Sequence, residues 1–142
     1  MQNLFLTEDD TFEVNIYVAI DENKVIYCDK KREGVNFLIG DKELEIQKYS
    51  IVFKKPSFGD IVSITDTIMK NSNSETGQAN PLSVKLNTMS FLLRDWDFTN
   101  NTNVKMPAIR ENLEKLDPII VACIGIQVDD FLVKDDSEEK SS

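Results

Sequence analysis

The chain of 142 residues contains no histidine. Histidine is the usual general base near neutral pH and the commonest metal ligand, so catalytic and metal sites of those kinds are excluded. The 2 cysteines, Cys28 and Cys123, lie far apart in the sequence and lack the paired spacing of a zinc site or a disulfide framework. We therefore predict two reduced and buried thiols, no bound metal and no cofactor.

Glycine motifs and long apolar runs are also missing. Gly34, Gly40 and Gly59 are isolated, and none belongs to a phosphate-binding G-x-x-x-x-G-K or G-x-G-x-x-G motif. The longest apolar run, from Ile119 to Ile126, spans about eight residues, whereas a membrane-spanning helix needs about 20. Residues 1–6 lack the basic start and the apolar stretch of a signal peptide. These absences predict a protein that stays in a cytoplasm and does not enter a membrane.

Acidic side chains outnumber basic ones by 25 to 16, which gives a net charge of -9. A surface of this sign repels phosphate backbones and anionic lipids, so we expect no nucleic-acid binding and no membrane contact. Basic or apolar proteins are the expected partners. Residues 129–142 contain six of the acids and only two lysines, and we predict that residues 135–142 form a disordered acidic tail.

The N-terminal third of the chain has the period of a β-sheet. Apolar residues recur at every second position from Phe12 to Ile20, which predicts a half-buried strand. Turn residues at positions 21–24 and the β-formers from Val25 to Cys28 indicate a hairpin. We predict an antiparallel sheet over residues 11–54, after which Ser57 caps the first helix.

The rest of the chain follows the helical period. Asn80 and Pro81 stand in the favoured order for a helix start, and apolar residues then recur at helical spacing as far as Trp96. A short helix over residues 107–116 and a last helix over residues 118–131 complete the pattern.

Together these patterns predict an α+β fold. A chain of this length fits one hydrophobic core, so we expect a single domain of residues 1–134. In it, an N-terminal antiparallel sheet (11–54) is followed by a bundle of three to four helices (57–132).

Acidic pairs are the remaining candidates for chemistry. Asp95 and Asp97 flank Trp96, and two interpretations are open: a carboxylate pair that converges on a substrate at a helix end, or acids that solvate the junction around a tryptophan anchor. The pairs Asp129-Asp130 and Asp135-Asp136 lack the ordered D-x-D-x-D-G spacing of a calcium loop, so the alternatives there are a hard-cation site and a solvated tail. We predict that the protein is not an enzyme.

Two apolar features have both a structural and a binding interpretation. Trp96, the only tryptophan, is either a core anchor or a rim residue of a binding surface, where tryptophan is enriched. The run from Ile119 to Ile126 is either central to the core or partly exposed to a protein partner. The candidate partner-binding residues are Trp96, Leu93, Ile120, Ile124 and Val128.

Four short motifs follow one another between residues 53 and 118. They are Phe53-Lys54-Lys55-Pro56, Leu92 to Asp97 with its Trp-Asp pair, Met106-Pro107, and Asn112 to Pro118. In this order of motifs, over residues 44–132, the chain resembles the small tail-assembly chaperones of tailed bacteriophages.

The resemblance implies a non-enzymatic protein of the host cytoplasm. Such a protein masks apolar helices of another tail protein, of the tape-measure or tail-tube type, until the tube polymerises. Two other functions are compatible with the same residues. One is a structural adaptor of the virion, in the tail or at the head-tail connector. The other is an acidic inhibitor of a nucleic-acid-binding host protein, which requires acids arrayed at phosphate-like intervals on one face.

Overall fold

A computed structural model describes residues 4–30, 37–70 and 80–141 of the chain. These residues form an N-terminal antiparallel sheet followed by helices, so the predicted α+β class is confirmed. The elements in chain order are β1 (Thr11–Asp21), β2 (Lys24–Asp29), β3 (Phe37–Ile39), β4 (Lys42–Leu44), β5 (Ile46–Lys54), α1 (Phe58–Lys70), α2 (Pro81–Leu92), β6 (Leu93–Trp96), α3 (Arg110–Leu113) and α4 (Pro118–Ser141).

The main sheet is antiparallel, with the strand order β2-β1-β5-β6. β1 pairs with β5 from Thr11 to Ala19, and its inward side is buried at every second residue, as the alternation predicted. β1 and β2 are joined by a tight turn in which Glu22 and Asn23 have φ angles of 50° and 65°, the left-handed conformation that matches the twist of the strands. β3 and β4 form a separate hairpin around Gly40, whose φ of 55° is accessible to glycine without strain.

Side-chain hydrogen bonds confirm the predicted starts of the first two helices. The Asp60 N–H donates to Ser57 Oγ (3.2 Å), and the Ser57 N–H donates to Asp60 Oδ2 (2.9 Å), so the two residues cap α1 reciprocally. The Leu82 N–H donates to Asn80 Oδ1 (2.9 Å), and Pro81 occupies the first position of α2. Both helices therefore begin where the sequence indicates.

The second helix ends earlier than the spacing predicts. α2 stops at Leu92, because Leu93 adopts extended dihedral angles (φ -62°, ψ 130°) and Leu93–Trp96 pairs with β5 as the edge strand β6. Leu93 and Trp96 are both buried in this strand. Pairing with the edge of β5 supplies backbone hydrogen bonds, and a local apolar pattern does not reveal them. One strand of the sheet thus comes from the half of the chain predicted to be helical.

The last two helices also differ from their predicted boundaries. α3 is a single turn rather than a helix over residues 107–116, because Ile109 is still extended (φ -130°, ψ 160°). α4 continues past the predicted end at Phe131 to Ser141, through residues whose composition predicts a disordered tail. Glutamate and lysine are good helix formers, and extending an existing helix needs no new nucleation, which accounts for the difference.

Trp96 is a core residue. It is 2% exposed, its Nε1–H donates to the carbonyl oxygen of Met106, and its ring meets Phe98 edge-on at a centroid distance of 5.1 Å. The structure therefore supports the core-anchor interpretation. The core draws on both halves of the chain and consists of Phe12, Val14, Ile16, Val18, Ile51, Phe53, Ile64, Met89, Leu92, Leu93, Trp96, Phe98, Leu113, Ile120, Ile124 and Val128.

We expect Trp96→Ala to lower the free energy of unfolding by about 3–5 kcal/mol, because it removes a buried aromatic side chain and leaves a cavity. Urea denaturation followed by circular dichroism measures the change. Leu82→Ala is the control, since Leu82 is 79% exposed and its truncation should change the free energy by less than about 0.5 kcal/mol. A loss below about 1 kcal/mol for Trp96→Ala contradicts its place in the core.

Candidate functional site

All five residues predicted to bind a partner lie in the core. Leu93 and Trp96 are 6% and 2% exposed, and Ile120, Ile124 and Val128 are 8%, 0% and 1% exposed. The expectation that the last helix offers accessible apolar positions at Ile120 and Val128 is therefore wrong for the folded chain. A run that is apolar nearly all round does not show which side of the helix packs against the core. Binding through Ile120, Ile124 and Val128 requires α4 to leave the core.

The two acids beside Trp96 are engaged in contacts within the fold. Asp95 Oδ1 lies 2.8 Å from Lys105 Nζ and accepts a hydrogen bond from the Trp96 N–H (2.9 Å). The bond to Lys105 holds the pKa of Asp95 below its ordinary value. Asp97 Oδ1 accepts a hydrogen bond from the Ser50 N–H (2.9 Å), which fastens the end of β6 to β5. The two carboxylates secure the junction around the buried tryptophan, and this geometry supports the structural interpretation.

Among the residues that the structure describes, no group of three or more histidine, cysteine, aspartate or glutamate side chains is placed to hold a metal ion. Within the same residues, no helix is both long enough and apolar enough to cross a membrane.

Helix α1 carries an exposed apolar side that the sequence patterns did not single out. Phe58, Ile61 and Val62 are 81%, 50% and 43% exposed. The helical period places these three side chains on one side of α1. Ile64 lies on the core-facing side and is buried, and Ile68 packs against the core. We call Phe58, Ile61 and Val62 the α1 face.

A buried cation fixes the start of α1 to the sheet. Lys54, the last residue of β5, is 6% exposed, and its Nζ lies 2.6 Å from Asp60 Oδ2 and 3.3 Å from Glu8 Oε1. Asp60 also completes the α1 cap, and Glu8 Oε2 lies 3.0 Å from Arg94 Nε on β6. The N-terminal segment, β5, α1 and β6 meet at this charged cluster. The α1 face therefore begins at a fixed point of the fold.

The charges of the cluster stabilise one another. The hydrogen bond from Lys54 holds the pKa of Asp60 below its ordinary value, against the opposing effect of burial. The hydrogen bond from Arg94 lowers the pKa of Glu8, and the hydrogen bond to Asp60 raises the pKa of Lys54. Asp60, Glu8 and Lys54 therefore remain ionised around neutral pH.

The sequence contains one signal that could have revealed the α1 face. The apolar residues of α1 from Phe58 to Ile68 spread over roughly 160° of the helix at 3.6 residues per turn. A stripe that faces a core is typically about 100° wide. The apolar pattern of α1 is therefore wider than its core contact needs, and the excess is the side that is exposed.

Comparison with known proteins leaves the family of the chain undetermined. No family model, no curated protein and no solved structure matches the chain.

We expect the protein to lose stability in acid as Asp60 becomes protonated. Because the folded-state pKa of Asp60 is lowered, its contribution is complete above its ordinary value of 3.8 and is lost as the pH falls below that value through the folded-state pKa. Asp60→Asn should therefore lower the urea midpoint near neutral pH and weaken its dependence on pH below about pH 4.

Asp66→Asn is the control for this prediction, because Asp66 is an exposed acid on the same helix. Its urea midpoint should stay close to that of the parent chain at neutral pH. Equal acid sensitivity of Asp60→Asn and the parent chain, measured below about pH 4, contradicts the role given to Asp60.

Proposed function

We propose that this chain is a non-enzymatic tail-assembly chaperone that covers an apolar helix of another tail protein with the α1 face. The observation that carries the proposal is the exposure of Phe58, Ile61 and Val62 on a helix anchored by Lys54 and Asp60. Exposed apolar patches rimmed by polar residues mark protein-interaction sites. The resemblance to the bacteriophage chaperones supplies the class of partner, a protein of the tape-measure or tail-tube type.

A helix of the partner suits the geometry of the α1 face. Phe58, Ile61 and Val62 have the spacing i, i+3 and i+4, which is the spacing by which helices pack side chains against one another. The net charge of -9 favours a partner segment with basic residues beside its apolar ones, because opposite charges speed the encounter. The same charge disfavours self-association through the exposed apolar residues. Reversible burial needs no covalent chemistry, which agrees with a protein that acts without catalytic residues.

The proposal predicts that Val62→Lys weakens binding to a tail protein encoded by a neighbouring gene by about tenfold or more. The added charge would be buried in an apolar contact without a counter-charge. Thr67→Lys is the matched control, since it adds the same charge to the opposite and exposed side of α1. Its affinity should remain within about twofold of the parent value.

Binding is measured by co-purification of the tagged chain from cells that express the neighbouring tail genes, followed by titration with the purified partner. Circular dichroism shows whether both variants fold. Equal losses of affinity for the two variants indicate a general electrostatic effect. If neither variant loses affinity, the partner does not bind through the α1 face. If no tail protein is recovered while the chain is present at fixed copy number in mature particles, the structural adaptor replaces the chaperone.

A further inference from the structure

The fold brings the 2 cysteines of the chain together. Cys28 pairs with the fully buried Val18 in the hairpin, so its side chain lies on the inward side of β2. Cys123 directly precedes the buried Ile124 on α4. The Cys28 and Cys123 thiols lie close enough to influence each other's pKa, and both residues are free and half-buried. The prediction of reduced thiols is confirmed, and the prediction of full burial is wrong, since both residues are only half-buried.

Neighbouring contacts hold α4 against the hairpin. Gln127, one turn after Cys123, donates from Nε2 to the carbonyl oxygen of Asn15 at 2.7 Å. Lys30 Nζ, directly after β2, lies 3.8 Å from Asp130 Oδ2 on α4. Both contacts hold α4 beside the β1–β2 hairpin, and α4 packs against β2 as well as β1, so the fold itself keeps the segments that carry the two thiols close.

We propose that Cys28 and Cys123 are an oxidative modification site, at which an intramolecular disulfide forms and fastens α4 to β2. The oxidant is a low-molecular-weight disulfide such as oxidised glutathione. The spacing of the cysteines in the sequence does not indicate this pair, because its members belong to a strand and a helix that meet only in the folded chain.

The disulfide forms in two exchange steps. One of the two thiols, for example that of Cys123, loses its proton to solvent, and the thiolate attacks one sulfur of oxidised glutathione, which forms a mixed disulfide and releases one glutathione. The Cys28 thiolate then attacks the Cys123 sulfur, which forms the Cys28–Cys123 bond and releases the second glutathione. The protein loses two electrons and two protons, and oxidised glutathione becomes two molecules of reduced glutathione.

The surroundings of the thiols set the rate of these steps. Burial raises the pKa of both thiols, and the negative charges of Asp29 and Asp117 raise that of Cys28 further. Because the thiolate is the reactive form, the exchange is slow at neutral pH and faster in alkaline solution.

The modification is independent of the α1 face proposed to bind the partner. The two cysteines lie on β2 and α4, and the α1 face lies on another helix. The disulfide keeps Ile120, Ile124 and Val128 of α4 in the core. The oxidised chain should therefore still bind the partner. Loss of binding on oxidation would contradict binding through the α1 face, but it would not contradict formation of the disulfide.

The test is incubation of the folded full chain with oxidised glutathione at about pH 7 and about pH 9, followed by intact-mass measurement and titration of thiols after unfolding in acid. We expect a mass about 2 Da below that of the reduced chain, no titratable thiol, and recovery of the reduced mass with dithiothreitol. The reaction should be faster at the higher pH. The thermal midpoint should rise by roughly 10 °C, because the bond closes a long loop of the chain.

Cys28→Ser and Cys123→Ser are the controls, because each leaves one thiol and should stop at the mixed disulfide. Two results would overturn the proposal. In one, the parent chain accumulates glutathione adducts without the intramolecular bond. In the other, both thiols of the folded parent stay free in alkaline solution while the unfolded chain is oxidised under the same conditions.

Discussion

The arrangement of this fold depends on keeping the charge of Lys54 paired in a buried position. A buried ammonium group without a counter-charge strongly opposes folding, so Asp60 and Glu8 must both approach the end of β5. Asp60 also closes the cap of α1 with Ser57. The same carboxylate therefore neutralises the lysine and determines where the helix begins. Glu8 extends the cluster to Arg94, so the N-terminal segment and the edge strand β6 are held at the same place.

This anchoring explains how α1 can leave large apolar side chains in solvent. The core is built mainly by the sheet, α2 and α4, and Ile64 is the one residue of α1 that is buried in it. A helix held by its first turn and a narrow core contact does not need its other apolar residues for folding. Phe58, Ile61 and Val62 are therefore available for a partner. A helix with one residue buried in the core and three large apolar side chains in solvent is suited to bind another protein.

Features determined by neighbouring residues were predictable from the sequence. The β1–β2 turn and the caps at Ser57 and Asn80 depend on side chains within a few positions, and all of them form as expected. Leu93 and Trp96 show where local patterns fail, because their spacing fits a helix and the edge of β5 pairs them as a strand. Strand pairing brings together residues that are distant in the chain, and no local signal records it.

The candidate site was harder to predict than the fold, for the same reason. Whether Ile120 and Val128 are exposed depends on which side of α4 meets the sheet, and a helix that is apolar nearly all round does not specify that side. The proximity of Cys28 and Cys123 likewise arises only when α4 packs beside the hairpin. The contacts of Lys54 with Asp60 and Glu8, which fix the start of α1, likewise arise only in the folded chain.

The direct junction between α2 and β6 has a mechanical consequence. Leu92 is the last residue of the helix and Leu93 is the first residue of the strand, with no loop between them. Because no loop separates the two elements, a rotation of α2 about its axis acts directly on the start of β6. α1 packs against α2, so a movement of α1 that displaces α2 also reaches β6 and its tryptophan. The indole of Trp96, the only one in the chain, is thereby placed to report such movement through its fluorescence.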